Sequence, residues 1–156
     1  MPQAFDFKPD EPTAELRTIH DLKSWMVKNG CNFLSYQIDS APIYEGFILA
    51  EVRSFFHWIY TERGVERTDM VFRCELDAVS YAYKHIRDDG WAWSHMVGFA
   101  KDKAQLGALR NCLQSRNIAY YEDEIPFGGK DDTRYRIYVH GSRAEAVADL
   151  KLEFGA

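Results

Sequence analysis

Five carboxylates and two arginines crowd one short stretch of this 156-residue chain. Tyr120-Tyr121-Glu122-Asp123-Glu124 leads into the loop Pro126 to Asp132, which ends in Asp131 and Asp132. Arg134, Arg136 and His140 follow at two- and four-residue spacing. In a strand that spacing puts Arg134, Arg136, Tyr138 and His140 on one face and Tyr135, Ile137 and Val139 on the other. A hairpin built this way can pair its own charges across the strands. It can also present a recognition surface, because Tyr and Arg are the residues enriched at interface hot spots and acidic clusters select basic partners. The candidate partner-binding residues are therefore Tyr120, Tyr121, Glu122, Asp123, Glu124, Asp131, Asp132, Arg134 and Arg136. Hard divalent cations take carboxylates, but this spacing matches no ligand pattern, so neither a metal nor another cofactor is expected.

The remaining reactive residue types are scattered. Histidines stand at 20, 57, 85, 95 and 140 without an HExxH or HxH pair. His95 and His140 fall on candidate neighbouring strands, and with Glu122 or Glu124 they could line the pocket of a small enzyme or ligand-binding domain by acid–base chemistry. Gly128-Gly129-Lys130 could approach an anion through backbone N–H groups, but it lacks the phosphate-loop pattern and reads as a flexible hairpin loop. Cysteines at 31, 74 and 112 form no CxxC pair, which argues against zinc and for buried thiols in a reducing compartment. Trp91 and Trp93 would share one side of a strand and could stack on the bases of single-stranded RNA. The RNP1 pattern is absent and the net charge is -5, so nucleic acid is not the expected partner.

Periodicity places these residues on elements. A helix is expected over Thr13–Asn29, with Leu16, Ile19, Leu22 and Met26 inward and Gly30 past its end. A strand follows over Cys31–Asp39. Ile43 to Arg53 fits a helix through Tyr44, Phe47, Ile48 and Val52, whereas residues 54–60 fit helix or strand, their aromatics favouring the latter. Asp69–Cys74 reads as a strand, Asp77 as the cap of the next helix, and Trp91–Ala100 as a strand. Asp102 with Gln105 forms a capping box for a helix to Asn117. Ile118–Ile125 and Thr133–His140 are strands, and Ser142 with Glu145 is a second capping box for a last helix.

The expected class is α+β, with a mixed β-sheet and helices packed mainly on one face. Residues Ser94–Phe154 have the element order of a ferredoxin-like plait lacking its last strand, which residues 31–39 could supply. Residues 1–12, with three prolines, read as an extended N-terminal arm, in which Phe5 and Phe7 could dock as a short strand. Residues 13–156 read as a single domain. No signal peptide or membrane span is read, so the cytoplasm is the expected compartment. Aromatics make up 15%, which reads first as an aromatic-rich core, since most of them sit in periodic segments, with a binding surface as the alternative. The expected function is a non-enzymatic, acidic protein-binding protein. It would be an inhibitor, immunity-type or phage- or plasmid-type antagonist docking on a basic, nucleic-acid-handling protein.

Overall fold

Two hairpin turns decide the first half of the chain. Arg53 and Ser54 have φ of +53° and +70°, and Arg63 and Gly64 have φ of +51° and +81°. Positive φ at both central residues is the mark of a two-residue type I′ turn, whose twist matches that of the strands it joins. These turns connect β2 (Glu45–Val52), β3 (Phe55–Glu62) and β4 (Val65–Phe72) into an antiparallel meander. The helix expected over residues 43–53 is therefore a strand. Its apolar positions satisfy a 3.6 period, yet they fill both faces of a central strand, which a period-two reading accommodates equally well. The aromatic run after Ser54 is strand, as its β-forming composition suggests.

The computed structural model describes residues 6–39 and 42–155. It divides into two compact units, one of residues 8–92 and the other of residues 6–7 with 93–155. The Phe5 docking expectation lies outside the described residues.

In the first unit, α1 (Ile19–Lys28) begins six residues later than expected. Thr18 Oγ1 accepts from the Asp21 backbone N–H, and the Asp21 carboxylate accepts from the Thr18 N–H, so a capping box sets the start. Leu22, Trp25 and Met26 are its buried stripe. The strand expected over 31–39 shortens to β1 (Tyr36–Ile38), because Phe33 takes a positive φ and bends the chain before it. β1 runs parallel to β2, giving the mixed order β1-β2-β3-β4. β4 starts at Val65 rather than Asp69 and lies at the sheet edge. Trp58 pairs with Met70 and Ile59 with Thr68, so Asp69 is an extra, bulged residue. That bulge, with Glu66 and Arg67, blunts an edge otherwise exposed along most of its length. α2 (Glu75–Arg87) is capped by Cys74, whose Sγ accepts from the Asp77 N–H, and not by Asp77 itself. Its Tyr81 and His85 rings pack on Trp58.

Trp91 and Trp93 lie in a 3-10 turn, Gly90–Trp93, not on a strand. The base-stacking reading loses its platform, since the two residues do not share one side of a strand and the Trp93 ring is fully buried.

The second unit carries a three-stranded antiparallel sheet, ordered β5-β7-β6, from β5 (Ser94–Ala100), β6 (Tyr121–Pro126) and β7 (Thr133–His140). The Asp102–Gln105 capping box forms, opening a 3-10 turn that runs into α3 (Gly107–Ser115). Ser142 and Glu145 fall within a 3-10 stretch, Gly141–Val147, so the second expected box does not start the last helix, α4 (Ala148–Phe154). Ile137 and Val139 point from β7 into a core with Leu109 and Leu113 of α3 and Leu150 of α4, so both helices share one face. Gly98 lets α3 approach β5, since a Cβ there would sit 2.6 Å from Leu109 Cδ2. The architecture is thus α+β with two sheets instead of one. Residues 36–38 add to the four-stranded sheet and not to this one.

Candidate functional site

Register turns the charged hairpin into a set of defined pairs. β6 and β7 place Asp123 opposite Arg136, and the two make a bidentate ion pair at 2.7 and 2.6 Å. Both side chains are about four-fifths buried, at 17% and 20% exposure, so the pair is better shielded from water than a surface salt bridge. The Asp123 carboxylate holds the Arg136 guanidinium above its ordinary range. Arg136 also lies over the Tyr138 ring, 5.2 Å from its centroid. On the opposite face Glu122 accepts from Arg110 of α3 at 2.7 Å. Asp132 pairs with Arg134, whose guanidinium covers the Phe127 ring at 4.9 Å. Tyr120 accepts a hydrogen bond from Gln114, and Tyr121 packs beside Tyr138.

Three of the five candidate carboxylates are therefore matched by arginines of the chain itself. Glu124 and Asp131 remain exposed, and neither enters an ion pair among the described residues. Between them stands Phe127, 60% exposed, its ring edge-on to Phe99 at 5.4 Å. The Gly128-Gly129-Lys130 loop closes on itself: the Gly128 N–H donates to the Asp132 carbonyl and the Asp132 N–H to the Gly129 carbonyl. The Gly128 N–H is thus used within the turn.

The Asp123–Arg136 pair gives a direct stability test. Its two single alanine variants should each cost about 1–3 kcal/mol, and the double variant less than their sum by about 1 kcal/mol or more. A urea-denaturation double-mutant cycle reads this, and strict additivity would show the pair to be energetically idle.

The acid–base alternative does not assemble. Ser94 pairs with His140 and His95 with Val139, so alternation sends the two histidines to opposite faces. His95 lines a cleft of about 740 Å3 with Met96, Glu145 and Lys151, which includes neither His140 nor a hairpin carboxylate. Phe7 stacks on His140, whose buried Nε2 has no hydrogen-bond partner among the described residues. Burial, then His95 and Arg143, lower the His140 pKa, which keeps it neutral at pH 7. Burial pushes the Cys31 thiol up to about 12, far from a reactive thiolate.

A second constellation, not announced by the sequence, lies in the four-stranded unit. Tyr36 is buried, and its hydroxyl donates to Asp89 Oδ2 at 2.6 Å. Its oxygen then faces His85 Nδ1 at 3.2 Å as an acceptor, which assigns the ring proton to Nδ1. Burial and the Asp89 carboxylate raise the Tyr36 pKa, while burial lowers that of His85. Beside them Phe47 stacks on Trp58 at 5.0 Å and 11°, and Tyr60 and His85 meet Phe47 edge-on at 61° and 64°. The residues come from positions 36 to 89, so no local motif announces them.

Among the described residues no group of three His, Cys, Asp or Glu side chains converges as a metal site, and no helix is long and apolar enough to cross a membrane. No family model, curated protein or solved structure matches the chain.

Proposed function

We propose that this chain is a non-enzymatic protein-binding protein whose β6–β7 hairpin tip docks on a basic protein partner. The observation that carries this reading is Phe127, an exposed ring braced by Phe99 and Arg134 and flanked by the exposed carboxylates of Glu124 and Asp131. An aromatic anchor held in one orientation loses little entropy on binding, and acids around it steer a basic partner into register. The acidic balance suits a partner that handles nucleic acid, which docking would exclude by competition; that is the action of a small inhibitor, immunity-type protein or phage- or plasmid-type antagonist. We also read the β5-β7-β6 sheet, with one helix after β5 and another after β7, as a ferredoxin-like plait without its last strand.

The test is quantitative capture from the native host's extract, followed by binding kinetics with the purified protein that is caught. Phe127→Ala should weaken capture about tenfold or more, mainly through faster dissociation. Glu124→Lys with Asp131→Lys should slow association, more at low salt than at high. Glu122 and Asp123 are unsuitable probes, because reversing them breaks pairs the fold uses. A captured protein that is acidic, or one held equally by both variants, would overturn the reading.

A further inference from the structure

The Tyr36–Phe47–Tyr60 cluster opens onto a cleft of about 440 Å3, within the size range of small-molecule sites. Tyr36, Tyr44, Phe47, Tyr60 and His85 supply five rings to its wall, and Glu45 and Asp89 supply two carboxylates. Among the described residues no lysine or arginine lines it. We propose that this cleft is an aromatic cage for an alkylated ammonium ion.

Four features converge on that class. Phe47 with Tyr60 and His85 edge-on to it makes a corner of rings whose planes differ, the arrangement that surrounds a rounded cation rather than stacking on a flat ligand. The Tyr60 ring accommodates a cation, since the guanidinium of its cross-strand partner Arg67 lies over it at 5.3 Å. Both carboxylates already accept hydrogen bonds: Asp89 from the Tyr36 hydroxyl and the Trp91 N–H, and Glu45 from the Tyr60 hydroxyl. They still contribute negative charge, but an ion rich in N–H donors would have to compete for them, whereas a fully alkylated nitrogen needs no acceptor at all. Burial keeps His85 neutral, so no positive ring opposes the ligand. Tyr44, 76% exposed, belongs to the cleft's lining.

Isothermal titration of the full chain with choline tests the assignment against 3,3-dimethylbutanol, its uncharged isostere. Choline should bind, and the alcohol should bind about tenfold more weakly or not at all. Tyr44→Ala should lower choline affinity several-fold with an unchanged melting temperature, because the side chain is exposed and its loss leaves no cavity. Glu45→Gln should lower it without changing shape. A trimethyllysine peptide distinguishes the source: affinity above that of choline assigns the site to a modified protein side chain, and equal affinity assigns it to a free headgroup. Equal binding of choline and the alcohol, no binding of choline by wild type, or full affinity in Tyr44→Ala and Glu45→Gln together would overturn the proposal.

Discussion

Gly46→Ala will destabilise the protein by about 3 kcal/mol or more, read as a fall in the urea midpoint at unchanged slope. Gly46 sits in β2 at φ +138°, a region that side-chain-bearing residues pay about 1–3 kcal/mol to occupy. A Cβ there would also fall inside the contact distance of the Ser35 carbonyl oxygen and carbon. That carbonyl is not free to withdraw, since it accepts from the Phe47 N–H at 2.9 Å and so leads into the parallel β1–β2 pairing. The variant must therefore strain β2 or detach β1, and detaching β1 moves Tyr36 out of the core. Two further alanines separate the contributions. Gly64→Ala, at φ +81° with open space around it, carries the backbone penalty alone, about 1–2 kcal/mol. Gly107→Ala, at helical φ with open space, should stabilise by about 0.5–1 kcal/mol. A Gly46→Ala cost no greater than that of Gly64→Ala would show that β1 yields freely.

β2 and β7 differ in how far their residues announce them. β7 is legible to the residue because Tyr135, Ile137 and Val139 alternate with polar partners, and only one of its faces is core. β2 is not, because both its faces carry apolar side chains and its turn residues, Arg53 and Ser54, lack the Asn-Gly signature that would announce a hairpin. The hairpin's charges were visible as a cluster. Which carboxylate meets which arginine depends on register and on α3, and so Glu122's capture by Arg110 could not be derived from alternation along β7. The aromatic cleft was the least legible feature. Its residues come from β1, β2, β3, α2 and the segments beside them, and Tyr36, Phe47 and Tyr60 each look alone like an ordinary strand aromatic. Burial of Tyr36 beside a carboxylate and an imidazole becomes visible only when long-range pairing brings positions 36, 85 and 89 together.

Trp58→Ala should cost about 3–5 kcal/mol, the range for removing a buried large aromatic. Trp58 is 1% exposed and central to β3. Phe47 stacks on it nearly parallel, and Tyr81 and His85 of α2 meet it edge-on at 5.9 and 5.3 Å. The loss is larger than burial area alone implies, because four rings from three elements, Tyr36 among them, use this one as their common neighbour and cannot all move to fill the space. Trp91→Ala is the matched control: its side chain is 42% exposed and should cost far less. The two variants also differ in what they do to the cleft. Phe47, freed from its stacking partner, would tilt into the Trp58 cavity and open the corner it forms with Tyr60 and His85. Choline affinity should then fall in Trp58→Ala even under conditions where the variant remains folded, although Trp58 lies behind the cleft wall. A variant that unfolds more easily yet binds choline as wild type does would mean that Phe47 is held by β2 alone, and that the ring stack supports the fold without shaping the site.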